Sequence, residues 1–218
     1  MRIAIVGYGK MGRLIEELAP GSGVEIAGRF DIGQPLQPGD YRVAVDFTMP
    51  AAIVGNVRRA AELGVNVVIG TTGWYEHLPT VHEIVESSGI GVVYGANFSI
   101  GVNLFFKIVK QAAEMIAAHP EYDPYVLEMH HRHKVDAPSG TAVVLKRLLR
   151  EPYGREIATS SVRAGEIPGT HEVGFDSEAD TITLTHTARG RKGFALGALL
   201  AAKWIEGRSG LHEFQEVL

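Results

Sequence analysis

The first hundred residues alternate short apolar runs with amphipathic stretches. Arg2-Ile3-Ala4-Ile5-Val6 is rich in β-branched residues and meets glycine at once at Gly7 and Gly9, and a short run of this kind bounded by turn residues predicts a buried strand. Beyond Gly12, Leu14, Ile15 and Leu18 share one helical stripe, and Pro20-Gly21 supplies a stop, so this stretch predicts a helix. Strand-like runs recur at Val24–Phe30, Val43–Phe47, Val65–Ile69 and Ile90–Tyr94, with helical patterns at Ala51–Leu63 and His77–Ser87. Strands separated by helices require parallel crossovers, hence a doubly wound parallel α/β sheet covered on both faces.

The rhythm changes after Gly95. A long helical pattern at Val102–Ala118 is followed by a strand-like Tyr125–Met129, a polar cluster and a further helix at Thr141–Arg150. Ser160–Val162, Glu172–Phe175 and Thr181–Thr187 then read as strands with no helix between them, which predicts a second, α+β domain built on a mixed or antiparallel sheet. The alanine- and leucine-rich run Phe194–Ile205 closes the pattern and is expected to pack back on the first domain. The expected division is 1–101 plus 193–218 for the first domain and 102–192 for the second.

Composition narrows the function classes. Hydrophobic residues make up 45% of the 218, and charged residues 21%, which excludes disorder as an overall description. The net charge of −4 provides no positive field for a nucleic-acid backbone, so no nucleic-acid partner is expected. The chain has no cysteine, which removes disulfides, zinc–thiolate sites, iron–sulfur clusters and thiol catalysis. No signal-peptide pattern and no apolar run near the ~20 residues of a membrane span are present, and the expectation is a cytoplasmic protein without a membrane partner.

Gly7-Tyr8-Gly9-Lys10-Met11-Gly12 is a GxGxxG placed directly after a predicted strand and opening a predicted helix. In that context the glycines serve a tight turn, close approach of a pyrophosphate and close helix packing, with the helix amides facing the phosphates. The first domain is therefore expected to be of Rossmann type. Asp31 lies 19 residues beyond Gly12 at the end of the second strand, where an acid accepts from the adenosine ribose hydroxyls. Ile32 and Gly33 supply no arginine for a 2′-phosphate, while Arg29 and Lys10 are nearby cations, so NADH, NADPH or both remain open as cofactor. The loops Gly70-Thr71-Thr72-Gly73 and Gly95-Ala96-Asn97-Phe98-Ser99 leave the carboxyl ends of further strands, where open parallel sheets bind ligands, and are expected to line the nicotinamide end.

The densest polar cluster is His130-His131-Arg132-His133-Lys134-Val135-Asp136-Ala137-Pro138-Ser139-Gly140-Thr141. Its last residues read as a helix start, so the amides of Gly140 and Thr141 would face an anion, beside a lysine, an arginine and three histidines. The pattern points to an anion-binding pocket with a proton donor. A metal site is the alternative, disfavoured because His130 and His131 would point to opposite sides of a strand and no local carboxylate completes a coordination sphere. A solvated basic loop is the other.

These residues, together with Asp46-Phe47-Thr48, Ala96 to Asn103, Glu128 to Ala142, Arg163-Ala164-Gly165, Gly169-Thr170-His171 and Phe194 to Ala198, resemble the dihydrodipicolinate reductase family, also called 4-hydroxy-tetrahydrodipicolinate reductase. The resemblance covers nearly the whole chain, and the histidine–lysine segment followed by Ala-Pro-Ser-Gly-Thr is its most specific part. It implies hydride transfer from a reduced nicotinamide to an electron-poor carbon of a cyclic unsaturated dicarboxylate, in lysine and diaminopimelate biosynthesis. It further implies His130 as proton donor and Lys134 as second acid and carboxylate partner. His131, Ser139, Gly140 and Thr141 would complete the substrate site. Cofactor contacts would fall on Gly7, Tyr8, Gly9, Lys10, Met11, Gly12, Asp31, Gly70, Thr71, Thr72, Gly95, Ala96, Asn97 and Phe98. The implied assembly is a homotetramer, with the site between two domains that close on binding. The connections after Asp31 and around Glu151 to Ile157 are shorter than is usual in the family. The competing readings are a two-domain aspartate or homoserine dehydrogenase and a nicotinamide-sensing regulator without turnover.

Overall fold

A computed structural model describes all residues, Met1–Leu218. In chain order it contains β1 (Arg2–Val6), α1 (Lys10–Leu18), β2 (Glu25–Phe30), β3 (Val43–Asp46), α2 (Ile53–Glu62), β4 (Asn66–Ile69), α3 (Leu78–Ser88) and β5 (Gly91–Tyr94). It continues through α4 (Ile100–Ile116), β6 (Asp123–His130), α5 (Gly140–Tyr153), β7 (Ala158–Arg163), β8 (Thr170–Asp176), β9 (Thr181–Thr187), α6 (Lys192–Ile205) and β10 (Gly210–Glu213). Two compact units result, Met1–Ile100 with Arg191–Leu218, and Gly101–Gly190.

The first unit is a six-stranded, wholly parallel sheet in the order β10-β5-β4-β3-β1-β2. The inner strands β1, β3, β4 and β5 are mostly apolar and buried because both faces of the sheet are covered. Ile3, Ile5, Val43, Val45, Val68 and Val93 join Ile15 of α1 and the alanine-rich face of α6 in one cluster. Their neighbours Ala4, Val6, Ala44, Val67 and Ile69 join Ile53, Val57, Trp74 and Val81 on the other side. Each fully buried aliphatic side chain contributes ~1.5 to ~3 kcal/mol relative to exposure, so register along these strands is strongly held. The expected return of the last helix onto this sheet is observed. Strand β10 has no period-two pattern to announce it and was not expected. The Asn66 side chain donates to Ile205 O (2.6 Å) and Arg208 O (3.0 Å) and accepts from Gly91 N (2.7 Å), fixing the exit of α6 where the chain then pairs with β5.

Strand order reverses direction between β1 and β3, the position where open α/β sheets hold ligands. Gly7 follows β1 at φ 91°, and an added Cβ would meet Phe47 O at 2.5 Å. Glycine is required there because the backbones after β1 and β3 touch.

The second unit is a four-stranded mixed sheet, β7-β6-β8-β9, in which only β6 and β7 are parallel. Val126, Val173 and Phe175 on one face pack with Val102, Phe105, Phe106 and Val109 of α4 and Leu145 and Leu149 of α5. The opposite face carries partly exposed Leu127 and Met129, exposed Val162 and a row of exposed threonines on β9.

Candidate active site

In the first unit, helix α1 begins at Gly9 with no side chain capping its amides. Gly9 has open space on its Cβ side, with nothing within 4 Å. A cavity of about 610 Å³ opens there, lined by Gly9, Lys10, Met11, Phe47, Thr48, Pro50, Gly70, Thr71 and Thr72. Uncapped helix amides beside a glycine with an open face are what a pyrophosphate needs, so the residues present fit a dinucleotide. Phe47, Thr48 and Pro50 were absent from the expected contacts. Their signal was position, since they follow the strand next to β1.

Behind the cavity Asp46 is buried without a cation. It accepts from Thr48 N (2.9 Å), Thr48 Oγ1 (2.7 Å), Asn56 Nδ2 (2.7 Å) and Thr71 Oγ1 (3.4 Å). Burial pushes its carboxyl up, with these hydrogen bonds opposing, and the bonds tie together the two loops that follow β3 and β4. Asp31 is exposed just past β2, its carboxylate accepting from Ile32 N at 2.9 Å. Arg29 is tied to Glu16, which also receives the Tyr8 hydroxyl. Its guanidinium is thus already matched, which leaves Lys10 as the exposed cation of the loop. Of the Gly95–Phe98 loop, Phe98 is buried and packs on Phe214, with ring centroids 4.6 Å apart, while Asn97 Oδ1 accepts from Ser99 N at 2.8 Å. These four residues and Asp31 do not line the cavity.

In the second unit, period-two alternation along β6 puts Val126, Glu128 and His130 on the covered face. Strand register does the rest. Glu128 stands opposite Ser161 of β7 and His171 of β8, and His130 opposite Arg163. Glu128, wholly buried, accepts from Arg163 Nη1 (2.9 Å) and Nη2 (2.6 Å) and from Ser139 N (3.2 Å), and it contacts His130 Nδ1. Burial pushes its carboxyl up, but the hydrogen bonds from Arg163, Ser161, His130 and Ser139 outweigh it and hold the pKa at about 2. For His130, burial lowers the pKa, Glu128 opposes this, and Lys134 and Arg163 add to the lowering. His171, whose ring meets that of His130 edge-on at 5.0 Å, is lowered to about 4, chiefly by burial and then by His130, His186 and Lys134, with Glu128 opposing.

Ser139 caps α5, accepting from Ala142 N (3.2 Å), and pairs with His171 Nε2 at 2.9 Å. The expected substrate residue Ser139 is therefore buried and its hydroxyl engaged. With Ser139 N given to Glu128 and Ala142 N to Ser139, the amides of Gly140 and Thr141 are left for a ligand. Lys134 Nζ lies 2.7 Å from Asp136 Oδ1. His131 is partly buried, with its Nδ1 unpartnered. No carboxylate pattern beside the histidines in sequence completes a ligand set, whereas the fold brings the Glu128 carboxylate to His130. Ligand atoms of Glu128, His130 and His171 lie within 4.8 Å of one another. Glu128, Arg163 and His171 were missed as site residues, although Glu128 is legible as the position two before His130 on a strand.

Residues 1–98 match the dihydrodipicolinate reductase amino-terminal domain, and residues 101–218 match the carboxy-terminal domain of the same family. The chain belongs to the dihydrodipicolinate reductase family. It is 35% identical to the 4-hydroxy-tetrahydrodipicolinate reductase of Christiangramia forsetii, covering 100% of this chain and 98% of that one. It is 37% identical to the Archaeoglobus fulgidus enzyme of the same name, covering 94% of each. The dipicolinate-bound dihydrodipicolinate reductase of Paenisporosarcina sp. TG-14 superposes with a TM-score of 0.81 at 25% identity, over 100% of this chain and 99% of that one. The Rossmann-type sheet and the mixed second sheet expected from the sequence are thus those of this reductase family. No helix is long and apolar enough to cross a membrane.

Proposed function

We propose that the chain is a 4-hydroxy-tetrahydrodipicolinate reductase that uses NADH, NADPH or both, producing tetrahydrodipicolinate for lysine and diaminopimelate biosynthesis. The observation that carries the reading is a buried histidine, His130, held on an ionised carboxylate beside Lys134 and two free helix amides, in a chain whose other unit offers an uncapped glycine-loop helix. The α1 amides and Gly9 would hold the pyrophosphate, Asp31 the adenosine ribose, and Gly70 to Thr72 with Gly95 to Phe98 the nicotinamide end. When bound, the reduced nicotinamide supplies a hydride.

The chain's own residues do the rest. Lys134 and the amides of Gly140 and Thr141 bind the substrate carboxylates, with His131 beside them, and charge-assisted bonds of this kind are roughly twice as strong as neutral ones. His130 gives a proton from Nε2 to the carbon next to the reduced one. The incoming dianion raises the histidine pKa, offsetting the lowering by burial and by the cations, so that the proton is present when it is needed. General acid help of this sort is typically worth ~10² to ~10⁴ in rate.

The partly apolar outer face of the second sheet would pair with further copies in a homotetramer, and a monomer by light scattering would refute that. The function itself is tested by NADH and NADPH oxidation with substrate made in situ from pyruvate and aspartate semialdehyde by its synthase. Oxidation that depends on the synthase supports the reading. No oxidation, or oxidation with aspartate or homoserine instead, refutes it.

A further inference from the structure

The proton step just described gives no task of their own to Glu128 and Arg163, yet the wholly buried Glu128 carboxylate is gripped by the Arg163 guanidinium. Arg163 spans both carboxylate oxygens and also donates from Nη2 to Asp136 O at 2.6 Å. A metal ion held by Glu128, His130 and His171 would have to displace that fork and sit beside Arg163 and Lys134, and like-charge repulsion in a buried site opposes it.

We propose that Glu128 is the positioning residue of His130: clamped by Arg163, its carboxylate fixes the imidazole with hydrogen on Nδ1 and leaves Nε2 as the atom that carries the proton. The inference rests on the reading of His130 as proton donor. An ionised carboxylate only accepts, so the contact to Nδ1 requires an N–H there. Nε2 then turns toward Gly169, where an added Cβ would stand 3.1 Å from it.

The charged and titratable groups around His130 come from every neighbouring element. They are Glu128 on β6, Lys134 on the loop beyond it, Arg163 on β7 and His171 on β8, with His186 of β9 acting on His171. Glu128 is the one group among these that favours the imidazolium, and burial, Lys134 and Arg163 oppose it. A carboxylate that orients a histidine and stabilises its protonated form is a known device of proton-transfer sites.

The test is Glu128→Gln, which keeps size and an acceptor oxygen but removes the charge. Four quantities are measured: kcat, KM, the pH profile, and ¹⁵N resonances of the His130 ring, with thermal melting to confirm folding. The expected kcat loss is at least ~10-fold and at most the ~10⁴-fold that bounds general acid help. The Michaelis constant should be little changed because Lys134 and the free amides remain. The alkaline limb of kcat and the His130 titration midpoint should both move to lower pH, since the favouring charge is gone. A purely structural role would lower activity without moving either, and that outcome overturns the proposal. If the variant does not fold, the wild-type spectrum above the midpoint decides: an Nδ1–H ring supports the proposal and an Nε2–H ring overturns it. Full turnover by His130→Ala would instead end the reading of His130 as proton donor while leaving the ring tautomer measurable, so the two failures are distinguishable.

Discussion

Replacing Gly9 with alanine adds one methyl group to open space and to nothing else. The residue sits at φ −84° and ψ −152°, in the extended region open to any residue, and no heavy atom lies within 4 Å of the new Cβ. Loss of glycine at the helix N-cap costs a few tenths of a kcal/mol to about 1, and the stiffer unfolded chain returns about 0.4 to 1, so stability should hardly move. The methyl group nevertheless enters the cavity where a pyrophosphate must approach the α1 amides. One charge-assisted hydrogen bond lost there is worth ~1.5 to ~3 kcal/mol, or about 10-fold to 100-fold in Kd. Gly7→Ala is the contrasting variant. At φ 91° it carries a left-handed penalty of ~1 to ~2 kcal/mol, and its Cβ would meet Phe47 O at 2.5 Å and Phe47 C at 2.6 Å, so it should lose stability as well as binding. NADH fluorescence titration with thermal unfolding separates the two. Gly9→Ala binding NADH as tightly as the parent would show that the phosphates do not lie over this glycine.

His130→Ala should lower turnover by ~10² to ~10⁴ with NADH affinity intact, and unchanged turnover in steady-state assays would remove it from the acid role. Lys134→Ala should raise KM and also slow the reaction, because its charge binds in both ground and transition states; an effect confined to cofactor affinity would contradict its assignment to the substrate. Stability should fall with acid in two stages. His171 is lowered from 6.5 to about 4, so its contribution is present above 6.5 and is lost as pH falls toward 4. Glu128 is lowered from 4.5 to about 2, and its contribution is lost between those values. Each shift corresponds to at most ~3 kcal/mol. Urea titrations followed by circular dichroism should show the first loss between pH 6.5 and 4, and a flat stability there would contradict a buried, neutral His171.

Much of the architecture was legible in the chain itself. Short, largely apolar runs such as Arg2–Val6 and Val43–Phe47, bounded by turn residues, read as strands covered on both sides, and the glycine loop after the first of them names its ligand class. The His130–Thr141 segment was legible as chemistry for the same reason, since so many cations in one loop repel unless an anion is expected. What the sequence could not supply was everything decided by strand neighbours. Strand β10 has no pattern of its own and exists because β5 offers an open edge and Asn66 delivers the chain to it. Arg163 and His171 lie 35 and 43 residues from Glu128 in sequence and reach it only because β7 runs parallel and β8 antiparallel to β6 in one register. Local periodicity is written residue by residue, but the partner across a sheet is chosen by the packing of the whole unit, and that is where the Glu128 carboxylate acquired its clamp.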